Sequence, residues 1–291
     1  MLSTILVATD LSSASDHVIG CLHALLPLGA RKAILAHALG IKHLQELKYE
    51  LARLAEPRLA AQKALLEAQG FQTTVEIAPG LPVFEMNRIA REKQVSLIVV
   101  GSHGATLAKE VLLGGVAMSI LQSATVPVFL VRLKITEEKV QNRCEVACAD
   151  ISKHILFPTD FSDTADRAFN NYVEKIVGAG FKRVTLLHVQ DKGRIDKHLH
   201  DRLEEFNQID GARLEGLKAR LEKKEVTEVQ IKIPYGSPIQ EILRCAREED
   251  ITLIIMGSQG RGFITEVFLG SVSHQVARHA PVPILLVPAL R

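Results

Sequence analysis

The chain has 291 residues, 47% of them hydrophobic and 23% charged, with a formal net charge of +2. That length is enough for two domains of ordinary size with a core each, and so weak a net charge supplies no general field for nucleic acid or an acidic membrane surface. Aromatic residues make up only 4% and Trp is absent, which argues against base-stacking platforms.

The chain opens on Ile5-Leu6-Val7-Ala8-Thr9-Asp10, which reads as a strand and not as a leader peptide. No apolar run is long enough to cross a membrane as a helix, so the expectation is a cytoplasmic protein without a membrane partner. Cys21, Cys144, Cys148 and Cys245 are too few and too scattered for a disulfide scaffold. They are expected to be reduced thiols. Cys144 and Cys148 could share a helix face, but they lack the partners that a zinc site needs, and no metal ligands are assigned.

The opening pattern returns. Ile5-Leu6-Val7-Ala8-Thr9-Asp10-Leu11-Ser12 is matched by Ile155-Leu156-Phe157-Pro158-Thr159-Asp160-Phe161-Ser162. Leu35-Ala36-His37-Ala38 is matched by Leu186-Leu187-His188-Val189, and Gly101-Ser102-His103-Gly104 by Gly257-Ser258-Gln259-Gly260. Val126-Pro127-Val128 is matched by Val282-Pro283-Ile284. The register drifts only by a short insertion, mostly between the second and third strands of the second copy. This is duplication of a whole domain and not a short solenoid repeat. The expected division is residues 1–134, a polar linker 135–152, and residues 153–291.

Within the second copy, apolar runs at His154–Thr159, Val184–Val189, Val226–Ile233, Ile251–Gly257 and Val282–Val287 lack clean alternation, as strands buried on both faces do. Helical patterns lie between them at Asp163–Ala179, Leu199–Lys223 and Ile239–Glu249. Ser237-Pro238 reads as an N-cap followed by Pro at the first helical position. The alternation predicts an α/β fold: two tandem domains, each with a five-stranded parallel sheet covered by helices. The fifth runs, Val128–Val131 and Pro283–Val287, are apolar edges, which suggests that the two copies pair through them inside one chain.

In such a sheet ligands bind at the carboxyl ends of the strands, where the winding direction reverses. Two features fall on that rim. One is Thr159-Asp160 after the first strand. The other is Gly257-Ser258-Gln259-Gly260, followed after residues 261–269 by Gly270-Ser271-Val272-Ser273, which opens a helix. Glycines admit backbone N–H groups to an anion, the helix N-terminus favours a phosphate, and the hydroxyls of Ser271 and Ser273 add donors. The loop lacks the Lys-Ser/Thr of a Walker motif and follows the fourth strand, not the first, so it is not the usual dinucleotide fingerprint. Arg261 could reach a phosphate. Asp160 could touch the nucleotide or hold Mg²⁺ through its phosphates, the alternative being a helix cap shared with Ser162.

On these residues both copies resemble the universal stress protein domain, over nearly all of the chain outside the linker. The spacing Gly257…Gly260…Gly270-Ser271 resembles the signature of the family's ATP-binding branch. The resemblance implies an adenine nucleotide α-hydrolase-like fold with sheet order 3-2-1-4-5, paired through fifth strands, with a homodimer as a further option. It implies ATP, ADP or AMP as ligand, with adenine against Pro158, Thr159, Asp160 and the backbone of Val189. Ribose and phosphates would follow Met256, Gly257, Gly260, Gly270, Ser271, Val272 and Ser273, and the role of Gln259 is open. The first copy departs from this pattern: Gly115 stands for Ser271, Ala117 for Ser273 and Ala8 for Pro158. Its site is expected to bind at least about tenfold more weakly or not at all.

The expected function is regulatory binding of an adenine nucleotide in a stress response, mainly in the second domain, with no catalytic residue assigned. The alternatives are a slow ATP hydrolase or autophosphorylating protein, and an interaction scaffold with incidental nucleotide. His37 and His188 read as packed or rim-facing, and His198 and His200 as solvent-facing.

Overall fold

The computed structural model describes residues 2–41, 45–103, 113–138, 141–146, 151–196, 200–224, 228–260 and 269–290. It divides into two compact units, Met1–Ala149 and Asp150–Arg291.

The first unit contains β1 (Thr4–Thr9), α1 (Ser13–Gly20), β2 (Lys32–Ala38), α2 (Gln45–Ala68), β3 (Gln72–Ala78), α3 (Pro82–Glu92), β4 (Leu97–Gly101), α4 (Gly115–Ser123) and β5 (Val128–Val131). All strand pairs are parallel: β3 with β2, β2 with β1, β1 with β4, and β4 with β5. That is the expected order 3-2-1-4-5. Ile5, Leu6 and Val7 of β1 and Leu97, Ile98 and Val99 of β4 are fully buried, because helices cover both faces of the central strands. β3 lies at the edge, and Gln72, Thr74 and Val75 are exposed there.

The segment expected as a linker carries an antiparallel hairpin, β6 (Leu133–Glu138) paired with β7 (Gln141–Val146). Its backbone runs beside α1 and belongs to the first unit. Cys144 therefore lies on a strand, not on a helix, and Cys148 lies outside the described residues. Cys21, at the C-terminal end of α1, is disulfide-bonded, which corrects the expectation of four reduced thiols. Chain remote in sequence comes back beside that helix, which spacing alone does not reveal.

The second unit contains β8 (His154–Pro158), α5 (Asp163–Ala168), α6 (Glu174–Val177), β9 (Arg183–Leu187), β10 (Gln190–Asp191), α7 (Lys192–Ile195), α8 (Leu203–Glu222), β11 (Glu228–Lys232), β12 (Tyr235–Gly236), α9 (Pro238–Glu248), β13 (Leu253–Gly257), α10 (Ser271–His279) and β14 (Ile284–Val287). Its sheet is again parallel throughout, with β11 beside β9, β9 beside β8, β8 beside β13 and β13 beside β14. The helix expected over Asp163–Ala179 has a wide turn at Phe169–Val173 and ends at Val177. Phe169 packs on Phe157 of β8 with ring centroids 5.5 Å apart, and the Arg220 guanidinium of α8 lies 4.9 Å from the Phe169 ring centre.

His154 begins β8 fully buried. Its Nδ1 donates to the Glu249 carbonyl (2.9 Å) and its Nε2 accepts from the Thr185 hydroxyl (2.8 Å), which fits the neutral ring. Burial, with Arg183 nearby, holds its pKa below the ordinary 6.5. Ser237 occupies the N-cap of α9, but its side chain makes no capping bond. Pro238 at the first position and the buried face Ile242, Leu243, Cys245 and Ala246 define that helix instead. No described helix is long and apolar enough to cross a membrane.

Candidate functional site

A cavity of about 430 Å³ opens at the carboxyl ends of β8, β9 and β13 in the second unit. That is within the range of small-molecule sites, roughly 300–1,000 Å³. It brings together Pro158, Thr159, Asp160, Val189, Met256, Gly257, Gln259, Gly260, Gly270, Ser271, Val272 and Ser273, all singled out from sequence. Arg261 lies outside the described residues, as does Gly104 of the first copy.

One end is built for an anion. Gly270 caps α10 in an extended conformation (φ −66°, ψ 155°), and its N–H donates to the Ser258 carbonyl at 2.7 Å. The helix therefore starts at Ser271, and the first-turn N–H groups of Ser271, Val272 and Ser273 face the cavity end of the helix. Ser271 is exposed to the cavity, so its hydroxyl is placed to donate. The buried Ser273 hydroxyl donates its single hydrogen to the Gly257 carbonyl at 3.0 Å. It ties α10 to the end of β13 and is not directed at a phosphate.

The glycines of this loop answer to packing as well as to a ligand. A Cβ on Gly257 would lie 2.9 Å from Thr164 Cγ2 and 3.1 Å from the Thr164 carbonyl carbon, so α5 can approach β13 only because the strand ends in glycine. A Cβ on Gly260 would meet Asp160 Oδ2 at 2.5 Å. Asp160 also accepts the Ser162 N–H on Oδ1 at 3.1 Å, while Ser162 is the residue that caps α5, through Ala165 N–H at 3.3 Å. The carboxylate is thus held at the cavity wall beside the glycine loop.

The rest of the lining is largely apolar and includes Pro158, Ile195, Phe206, Ile242 and Met256. The N–H groups of His188 and Gln190 pair with the Lys232 and Pro234 carbonyls. The amide of Val189 between them therefore presents to the opposite side, toward the cavity that it lines. β9 and β13 flank β8, so Val189 and the glycine loop, which follow them, stand about 10 Å apart at the usual strand spacing.

Several lining residues were missed or discounted from sequence. His188 and Gln190 extend beyond β9, Arg194 and Ile195 come from α7, and Phe206 and Asp210 come from α8. His188 Nδ1 donates to the Thr159 carbonyl at 2.8 Å, and its Nε2 lies 3.3 Å from Asp210 Oδ2. Gln190 Nε2 donates to the same oxygen at 3.1 Å. Phe161, in the left-handed region at φ 56°, stacks on His188 at 4.8 Å and lies under the Arg213 guanidinium at 3.9 Å. The signal was in the repeat: where buried Leu59 and Leu66 match buried Leu214 and Leu221, Ala55 stands for Asp210 and Arg58 for Arg213.

The first unit keeps the scaffold with other groups on it. Gly114 caps α4 and donates to the Ser102 carbonyl at 2.8 Å, as Gly270 does to Ser258. His37 Nδ1 donates to the Thr9 carbonyl at 2.9 Å, as His188 does to Thr159. Asp10 Oδ1 instead takes hydroxyls from Ser12 (2.5 Å) and Ser15 (2.6 Å), where the second unit has Ala165 in place of Ser15. Thr9 donates to the fully buried Gln62 at 2.7 Å, where the second unit has Leu217.

The model of the universal stress protein family matches residues 1–132 and again 152–288. A universal stress protein of Methanocaldococcus jannaschii, MJ0577, is 35% identical over 153 residues, 46% of this chain and 94% of that one. Universal stress protein YxiE of Bacillus subtilis is 35% identical over 95 residues, 32% of this chain and 63% of that one. The crystal structure of a universal stress protein from Archaeoglobus fulgidus superposes with a TM-score of 0.72 at 27% identity, covering 99% of this chain and 98% of that one. With the duplicated fold and both stretches matched, the chain belongs to the universal stress protein family as a tandem member.

Proposed function

We propose that the second unit binds an adenine nucleotide, ATP, ADP or AMP, and that its occupancy regulates a stress response. The observation that carries this reading is the pairing of a glycine-bounded helix N-terminus with largely apolar lining in one cavity of small-molecule size. Phosphates lie over the first turn of α10 and receive backbone N–H groups and the Ser271 hydroxyl. The base lies between the ends of β8 and β9. Mg²⁺ would ride on the phosphates, with Asp160, whose Oδ2 lies against Gly260, as the available carboxylate.

Binding is favoured over hydrolysis. Phosphoryl transfer needs a positioned base and cationic stabilisation of the transferring group. The loop and its insert, Gly257–Ser273, contain no Lys, and their only carboxylate is Glu266. Mass spectrometry of nucleotide released from the purified chain, followed by single-turnover incubation with labelled ATP, tests both points. An adenine nucleotide recovered and left uncleaved is the expected result. Recovery of no nucleotide defeats the reading, and prompt cleavage defeats its non-catalytic part.

A further inference from the structure

We propose that Asp210 reads the nucleobase, selecting a base with an exocyclic amino group over one with a carbonyl at that position. This rests on the nucleotide reading above and adds a specificity determinant to it.

A carboxylate on the inward face of a helix needs partners and a reason. α8 buries Asp210 together with Leu214 and Leu221, and the first unit has Ala55 in the matching place, so the fold does not require the charge. Asp210 lines the cavity with Ile195 and Phe206, and its partners His188 and Gln190 follow β9, two strands from β13 and its glycine loop. Its orientation is set by its neighbours. Gln190 (3.1 Å) and His188 (3.3 Å) both meet Oδ2, and the His188 ring is itself fixed by the Thr159 carbonyl. Oδ1 meets Arg213 only at 3.5 Å, longer than a charge-assisted bond of about 2.7–2.9 Å, so it keeps acceptor capacity. An amino group offers that oxygen a hydrogen. A carbonyl offers it lone pairs, and the contact becomes repulsive.

The test measures binding of ATP, inosine triphosphate and 2′-deoxyATP to the full chain by calorimetry, for the parent, Asp210→Ala, Asp210→Asn and Ser271→Ala. The parent is expected to prefer ATP over inosine triphosphate by about tenfold to a hundredfold. Asp210→Ala loses most of that preference, by weakening ATP and by relieving the repulsion of inosine triphosphate. Asp210→Asn, which keeps the shape and can turn its amide, loses it by strengthening inosine triphosphate. Ser271→Ala weakens both nucleotides alike and keeps the preference. A preference that survives Asp210→Ala and Asp210→Asn overturns the proposal, as does equal weakening of both nucleotides. Loss of a preference for ATP over 2′-deoxyATP would put the carboxylate at the ribose and overturn the base assignment. If the parent binds neither triphosphate, the nucleotide reading itself fails.

Discussion

Gly260 and Asp160 approach so closely that a Cβ on the glycine would lie 2.5 Å from the carboxylate Oδ2. The glycine loop and the first-strand rim, which are remote in sequence, form one wall. What stands in the way of a side chain at Gly260 is the mobile end of Asp160 and not backbone. Gly260→Ala is therefore expected to displace that carboxylate and weaken nucleotide binding about tenfold, with stability changed by less than about 1 kcal/mol. Calorimetric titration beside thermal melting checks this.

Gly257 should behave in the opposite way. Its neighbours are Thr164 Cγ2 and the backbone of α5, which cannot swing aside. Gly257→Ala overpacks the junction of α5 and β13 and should destabilise the second unit by about 1–3 kcal/mol. Urea unfolding of the two variants in parallel separates a packing glycine from a ligand-side glycine.

Ser271 and Ser273 divide along the same line. Ser271→Ala should weaken nucleotide binding by about tenfold to a hundredfold, the worth of a hydrogen bond to a charged group, and leave the melting temperature unchanged. Ser273→Ala removes the bond to the Gly257 carbonyl and should lower stability by about 1–3 kcal/mol through an unsatisfied buried acceptor. A larger binding loss for Ser273→Ala than for Ser271→Ala would contradict this assignment.

His154 gives the second unit a pH dependence. Its ring is held neutral by burial, so the unfolded chain takes up the proton first as pH falls. Stability from this group is fully present above about pH 6.5 and declines as pH falls below it toward the depressed folded value. Denaturant midpoints measured between neutral and acid pH should fall on acidification, and His154→Leu should flatten that slope.

Much of this was legible in the sequence because the physics is local. Ile155-Leu156-Phe157 reads as a strand buried on both faces and is one, and Gly270 before Ser271 caps the helix that the spacing suggests. Asp210 was not legible along the chain, because a carboxylate in a helix that also carries Glu204, Glu205 and Glu215 reads as solvated surface. Only the comparison with Ala55 marks it. Ser273 lines the cavity, but its hydroxyl, expected as a phosphate donor, turns to the Gly257 carbonyl, which only the folded chain brings near. The hairpin β6–β7 escaped notice because Thr136-Glu137-Glu138 has the composition of a loop.

The two units differ in what surrounds the same backbone. Asp10 is taken up by Ser12 and Ser15, Thr9 by Gln62, and Gly115 stands for Ser271. These differences lead to the expectation of one strong nucleotide site per chain, in the second unit. Calorimetric titration of the nucleotide-free full chain with ATP tests it most directly, alongside the double variant Asp160→Ala, Ser271→Ala. A stoichiometry of one ATP per chain, lost in the double variant, is the expected result. Two equivalent sites per chain, or one site that survives the double variant, would contradict it.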